Sequence, residues 1–374
     1  MAKELLPGER RVALVPESAT RLIQAGAEVA LERGAGEGAN FPDALYEAAG
    51  VKLVEGHREL LQSSNLVLKV RPPMARGRGG DEVAMLRQGT WLVGVLQPHS
   101  QFELLPKLAR RRMTAFSLDL LPRISRAQDM DVLSSMSSVS GYYAVVLAAS
   151  RLSRFFPLLM TAAGTVAPAR VLVLGAGVAG LQAIATARRL GAVVRAFDVR
   201  PEVKEQVESL GAEFVEADET VPGGEGQGGY APEVSDQAQE RERALLGQEV
   251  AQADVVIATA LVPGKRAPVL VSEAAVLAMR PGSVVVDLAA EAGGNCQLTR
   301  PGEEIRAQGV LILGPLDLPS AMSYHASQLF SRNLTRFTLT LIHQGGELQV
   351  DLEDQVLAAT CVVLEGAVRW RPPG

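Results

Sequence analysis

The chain has 374 residues, 47% hydrophobic and only 4% aromatic, the make-up of a folded Ala/Val/Leu/Gly-rich α/β protein rather than a disordered one. Its net charge of −5 gives no general attraction to nucleic acid or anionic lipid, so no nucleic-acid partner is expected. The length exceeds one typical core and predicts two domains, while two cysteines, Cys296 and Cys361, and four scattered histidines offer neither a disulfide framework nor a metal site.

The opening stretch, MAKELLPGERR, lacks the apolar core of a signal peptide, and a cytoplasmic location is expected. The N-terminal third then alternates short apolar runs with helical patterns. Strands are predicted at 11–16 (RVALVP), 28–33 (EVALER), 51–55 (VKLVE), 66–70 (LVLKV), 91–96 (WLVGVL) and 114–120 (TAFSLDL). Helices are predicted between them, in ESATRLIQAG, DALYEAAG, HRELLQSS, DEVAMLRQ and QFELLPKLARRR. Such alternation predicts a parallel sheet covered on both faces. The stretch RPPMARGRGG at 71–80 reads as an exposed loop.

LPRISRAQDMDVLSS, residues 121–135, concentrates arginines, aspartates, a glutamine and serines in a chain otherwise sparing with charge. Two readings stand: a polar loop that caps the following helix, or a set of side chains that hold a ligand. The small-residue stretch at 134–153 reads as a helix, either a linker between the domains or the first element of the second. A second βα series begins at Ala169, with strands at RVLVLGAG, VVRAFDV, AEFVEA, DVVIATALV (254–262), SVVVDLA (283–289) and GVLILGP (309–315). The charge-free run 171–187 imitates a membrane span, but its β-branched start and glycines read better as strand, turn and helix, and no transmembrane helix is expected. At 220–237, TVPGGEGQGGYAPEVSDQ reads either as an inert flexible linker or as a mobile lid carrying the lone aromatic Tyr230. After Pro315 the chain is helical from Ser320, then strand-like, and is expected to return to the first domain.

VLVLGAGVAG places Gly175, Gly177 and Gly180 in G-x-G-x-x-G between an apolar strand and a helix. These glycines permit a tight turn, close approach of backbone to a pyrophosphate, and close helix–strand packing. The helix start at Val178 and Ala179 offers unpaired N–H groups to the phosphates. Asp198 ends the second strand, where a carboxylate accepts from ribose hydroxyls and repels a 2′-phosphate. NAD(H) is therefore favoured over NADP(H). Arg200, beyond Val199, is the one feature that keeps NADP(H) open, with a solvated arginine at a helix start as its alternative role. ATALVPG (258–264) and DLAAEAGGN (287–295) end two further strands, and in the first of them Ala260 and Leu261 read either as a cofactor wall or as plain packing.

PRISRAQDMDVLSS, MTAAGTVAPARVLVLGAGVAGLQAIATA, GGYA and VVDLAAEAGGNC together resemble the NAD(H)-binding component of proton-translocating nicotinamide nucleotide transhydrogenase, over nearly the whole chain. That component is similar in fold to alanine dehydrogenase, and RRVALVPE and LKVRPP are shared by both groups. The resemblance implies two Rossmann-like doubly wound parallel-sheet domains with a cleft between them: 1–133 with 316–374, and an NAD(H)-binding domain at 134–315. It implies that Arg123, Gln128, Asp131 and Ser134 position the nicotinamide and its ribose, and that Gly229 and Tyr230 belong to a mobile loop. It also implies a homodimer, partner subunits that span the membrane and bind NADP(H), and a peripheral place on the inner face of the plasma membrane. The tail 350–368 and the helix 134–153 are candidate dimer surfaces.

The alternative is a self-contained NAD-dependent amino-acid dehydrogenase. Reduction of an imine or keto acid needs acid–base groups at the reacting carbon. Arg11 and Lys69 are present as candidates or as structural residues, but Gln97 stands where such enzymes are expected to carry a histidine, with His99 two positions on. Hydride transfer between two nicotinamide rings moves no proton and asks only for orientation and exclusion of water. Amides, hydroxyls and one carboxylate suit that task.

Overall fold

The computed structural model describes residues 1–74, 80–216, 236–262 and 265–371. The chain divides into two compact units, Met1–Met136 with Pro319–Gly374, and Ser137–Leu318.

The first unit opens without the strand expected at 11–16. Val12, Ala13, Leu14 and Val15 are buried, but the amides of Val12 and Val15 donate to the hydroxyls of Ser327 and Ser331 at 3.0 and 2.9 Å, not to a neighbouring strand. Pro16 then starts α1 (Pro16–Gln24), its missing N–H costing nothing at the first helical position. β1 (Ala30–Glu32), α2 (Asp43–Ala48) and β2 (Lys52–Val54) follow, and β1 and β2 pair only with each other, as a two-stranded parallel sheet. After α3 (His57–Ser63) come β3 (Leu66–Leu68), α4 (Glu82–Met85), β4 (Trp91–Gly94), α5 (Leu104–Arg110) and β5 (Thr114–Ser117). β3, β4 and β5 run parallel. Leu68, Val93 and Phe116 face one core and Val67, Leu92 and Ala115 the other, the period of two expected of a sheet covered on both sides.

The long α6 (Val132–Arg151) begins in this unit and continues into the second. Among the described helices it is the one whose length and composition would suit a membrane span, with a mean hydropathy of 1.4. Its residues go elsewhere: Val132 enters the core of the first unit, and Ala144, Val145 and Ala148 that of the second. An unforeseen hairpin, β6 (Leu159–Thr161) and β7 (Gly164–Val166), comes next.

The second unit is a seven-stranded sheet. Its elements in chain order are β8 (Arg170–Leu174), α7 (Val178–Arg189), β9 (Val193–Phe197), α8 (Lys204–Ser209), β10 (Glu213–Phe214), α9 (Asp236–Gln252), β11 (Val255–Ala258), α10 (Glu273–Leu277), β12 (Val284–Asp287), β13 (Glu304–Ala307) and β14 (Val310–Leu313). The strand order is β10-β9-β8-β11-β12-β14-β13, parallel throughout except β13, which runs against β14. The run 171–187 is thus divided between β8 and α7. Val171, Val173, Val255 and Ile257 face the core under α6 and α7, while Leu172, Leu174, Val256 and Ala258 face that under α9 and α10. β9 and β10 extend the sheet to one side of β8, and β11, β12 and β14 to the other. The side to which strands are added therefore reverses between the parallel neighbours β8 and β11, and ligands of open α/β sheets bind outside the carboxyl ends of the strands at such a point.

After α11 (Leu318–Ala321) and α12 (Ser323–Thr338), the chain completes the first unit with α13 (Gln355–Thr360), β15 (Cys361–Leu364) and β16 (Ala367–Val368). β15 pairs antiparallel with β5, so this sheet is mixed where an all-parallel one was expected. Cys361, Val362 and Val363 are buried in that pairing, while β16 at the edge of the sheet stays exposed.

Candidate functional site

The turn after β8 is built from absent side chains. Gly175 has φ +94°, and a methyl group on it would lie 2.8 Å from Thr259 Oγ1. On Gly180 a methyl would lie 1.8 Å from the Gly175 carbonyl oxygen, so α7 packs against the turn at a distance only glycine permits. On Gly177 it would meet nothing within 4 Å. The middle glycine faces open space, beside exposed Val178 and half-buried Ala179, at the start of a helix with no acidic residue in its first turn. Unpaired N–H groups and the helix dipole there suit a phosphate.

Asp198 lies just past β9, and its carboxylate is tied to the same turn. Oδ2 accepts from Ala176 N at 2.7 Å, and Oδ1 from Arg200 N at 2.9 Å. The Arg200 guanidinium folds back, with Nε on Oδ1 and Nη2 on Oδ2, both at 3.0 Å. Arg200 is therefore not the solvated helix-start arginine of the sequence reading; it forks onto the carboxylate assigned to the ribose. Val199 between them is 44% exposed.

Across the sheet, the β11 exit is bonded to the β8 exit. Thr259 Oγ1 donates within 3.2 Å of the carbonyl oxygens of Leu174 and Gly175. Ala260 follows half-buried and Leu261 is 47% exposed. Two residues of the β12 exit, neither given a role from the sequence, brace this region: Asn295 holds the β11 loop and Asp287 the loop that carries Asn295. Asn295, fully buried, accepts from Ala260 N at 3.0 Å and donates to Ala260 O at 2.9 Å and Pro268 O at 2.8 Å. Asp287, at the end of β12, accepts from Ala289 N, Cys296 N and Thr299 Oγ1. The signal for both was the polar residues framing the two glycines in DLAAEAGGN.

In the first unit, 121–135 takes the first of its two readings, a polar loop that caps the following helix. Asp131 caps α6: Oδ1 accepts from Ser134 N at 2.9 Å and Oδ2 from Ser134 Oγ at 2.6 Å. The preceding 3-10 turn, Ser125–Met130, is fastened to α12 by Asn333 Nδ2 on Asp129 O at 2.8 Å and by Arg336 on Asp129. Arg123 and Gln128 stay exposed on this braced segment. Gly229 and Tyr230, with nearly all of the loop 220–237, lie outside the described residues.

The groups a dehydrogenase would need are closed on other partners. Lys69 is 1% exposed, its Nζ 2.7 Å from Glu82 Oε1 and 3.4 Å from Glu4 Oε2. Burial alone would lower its pKa, but the two carboxylates outweigh burial and hold it above the ordinary lysine value. Arg11 forks onto Glu9, with Nε at 2.8 Å and Nη2 at 2.5 Å, and Arg71 shares that carboxylate. Gln97 takes a left-handed conformation, φ +51°, in which its carbonyl accepts from the amides of Ser100 and Gln101. His99 stands edge-on to Trp370 at 5.1 Å.

Comparison with known proteins places these features. The family model for the alanine dehydrogenase/PNT N-terminal domain matches residues 1–140, and that for the C-terminal domain matches 144–371. The chain is 46% identical to an NAD(P) transhydrogenase alpha subunit of Rhodospirillum rubrum, over 98% of this chain and 96% of that one. It is 30% identical to the alanine dehydrogenase of Halomonas elongata, over 99% and 94%. A crystal structure of transhydrogenase from Sinorhizobium meliloti superposes with a TM-score of 0.88 at 42% identity, covering 98% of this chain and 99% of the other. With both domain models matched in order and relatives aligned end to end, the chain belongs to the alanine dehydrogenase/PNT family.

Proposed function

We propose that the chain is the NAD(H)-binding subunit of a proton-translocating NAD(P) transhydrogenase, passing hydride from NADH to NADP+ held on a partner subunit. The observation that carries this reading is the glycine turn at the β8/β11 reversal: open at Gly177, closed by backbone contact at Gly175 and Gly180, and tied to Asp198. In this reading the α7 N-terminus takes the pyrophosphate, Asp198 takes the adenosine ribose, and Ala260 and Leu261 line the other wall. The dinucleotide supplies the hydride from C4 of its reduced ring. The reaction NADH + NADP+ → NAD+ + NADPH releases no proton in that step, so the protein has only to orient the rings and exclude water.

Gln128, Arg123, Asp131 and Ser134 are the orienting groups in this reading. Replacing Gln128 with Asn is expected to slow hydride transfer more than it weakens NADH binding; equal effects would count against orientation. The paired states of Lys69 and Arg11 favour this reading over a dehydrogenase that would need them for substrate. Membrane-spanning and NADP(H)-binding partners, attachment to the inner face of the plasma membrane, a closing role for Tyr230, and a homodimer complete the proposal. The hairpin β6–β7 and its approach, where Phe155, Leu158, Met160 and Val166 are 43–74% exposed, is an apolar surface suited to a second copy. The test combines the chain with its NADP(H)-binding partner, NADH and an NADP+ analogue of distinct absorbance. Reduction of the analogue that requires both polypeptides is expected, and its absence would overturn the assignment.

A further inference from the structure

We infer that Asn295 is a positioning residue for the dinucleotide, acting through the backbone of Ala260. This rests on the reading of the β8/β11 reversal as a nucleotide site.

Beyond Ala258 the β11 strand is over, and the loop backbone that follows no longer has a strand on both sides to fix it. Thr259 secures one side, its hydroxyl lying against the Gly175 turn. Asn295 secures the other. Its Oδ1 accepts from Ala260 N and its Nδ2 donates to Ala260 O, so one carboxamide meets the N–H and C=O of a single residue as a neighbouring strand would. The second Nδ2 hydrogen goes to Pro268 O, and the main-chain oxygen of Asn295 accepts from Leu270 N and Val271 N. Asn295 itself is fully buried, so no water competes for these bonds. Gly293 and Gly294 precede it with φ +100° and +80°, a left-handed pair that returns the chain from β12 to this point. The result fixes both peptides around Ala260 and hence the direction in which exposed Leu261 leaves the loop, beside the turn whose middle glycine is open.

The chemistry of an amide is the testable part. Oδ1 must accept while Nδ2 donates twice, and an ionised carboxylate can only accept. Asn295→Asp keeps the shape but faces two carbonyl oxygens with a negative charge at neutral pH. Protonation restores one O–H donor, and burial raises the pH at which that occurs. Asp287, the carboxylate on the same loop, is bonded to Ala289 N, Cys296 N and Thr299 Oγ1 and is unchanged in the variant.

The experiment is calorimetric titration of the full chain with NADH, from about pH 8 to about pH 5.5, on wild type, Asn295→Asp and Asn295→Ala, each shown folded by circular dichroism. Loss of two or three buried hydrogen bonds predicts a Kd raised about tenfold or more in both variants at pH 8. The Asp variant is expected to recover toward wild type as pH falls, while the Ala variant is not. Unchanged affinity in both variants would overturn the inference, and so would an equal loss that acid fails to reverse in the Asp variant. If Asn295→Asp does not fold, Asn295→Ala at pH 8 decides alone: weaker NADH binding by the folded variant supports the inference and unchanged binding overturns it. Failure of wild type to bind NADH would instead overturn the nucleotide reading of the second unit.

Discussion

In the first unit the polar groups near the sheet are charges closed on one another. Lys69 lies between Glu82 and Glu4, His57 spans Glu32 and Glu82, and Glu9 holds Arg11 and Arg71. In the second unit the groups at the strand ends are backbone amides, a threonine, an asparagine and the glycine turn, with the largely covered ion pair of Asp198 and Arg200 beside it. The same βα alternation thus serves two ends. One arrangement spends its charges on holding itself together, and the other leaves unpaired N–H groups facing outward at the α7 start. A residue type alone does not separate these uses: Lys69 and Arg11 read in the sequence as either catalytic or structural, and in the fold both are committed to carboxylates.

Breaking the charged network gives the largest effect expected. Lys69→Met strands Glu82 and Glu4 in a buried site and should cost about 3–5 kcal/mol of stability, read by denaturant unfolding, with NADH affinity of the folded protein unchanged. A lysine that instead served substrate would leave stability nearly intact. The second unit offers the converse. Gly180→Ala drives a methyl into the Gly175 carbonyl and should cost about 2–3 kcal/mol, whereas Gly177→Ala should melt like wild type and lose NADH affinity, because its methyl enters only open space. Equal melting of the two variants would refute the separate roles given to these glycines.

Smaller effects sharpen the contrast. Asp198→Asn removes a charged acceptor and should weaken NADH about tenfold while narrowing the preference over NADPH, since Arg200 loses its carboxylate. A selectivity that does not move would remove Asp198 from the ribose. The smallest effect is a pH slope. The His57 hydrogen bond to Glu32 and its ion-pair approach to Glu82 hold its pKa up to about 9, against an ordinary value of 6.5. Because the folded state binds this proton more tightly, the stabilisation is complete below about pH 6.5 and lost as pH rises through about 9. The melting temperature should fall over that interval, and His57→Gln should flatten the fall; an unchanged slope would assign it to other groups.

Much of this was legible from local pattern. Glycine spacing after an apolar β-branched run identified β8, its turn and α7, because the left-handed turn at Gly175 and the close packing of Gly180 on it are demands made within a few residues. The run 11–16 misled for the opposite reason: its amides are met by Ser327 and Ser331, hydroxyls from the far end of the chain that no local period can announce. The hairpin β6–β7 escaped because β7 is exposed along its length and shows no inside–outside alternation. β13 alternates only weakly at the antiparallel edge. Asn295 and the folded-back Arg200 escaped because their roles lie in partners, not in residue type.

The central claim is that this chain binds NADH for delivery to another nucleotide and not to an amino-acid precursor. The most direct test mixes the purified chain with NADH, pyruvate and ammonium and follows the absorbance of the reduced nicotinamide. NADH binding without oxidation is the result predicted by the paired Lys69 and Arg11 and by Gln97; rapid oxidation would make the chain an amino-acid dehydrogenase and contradict the account.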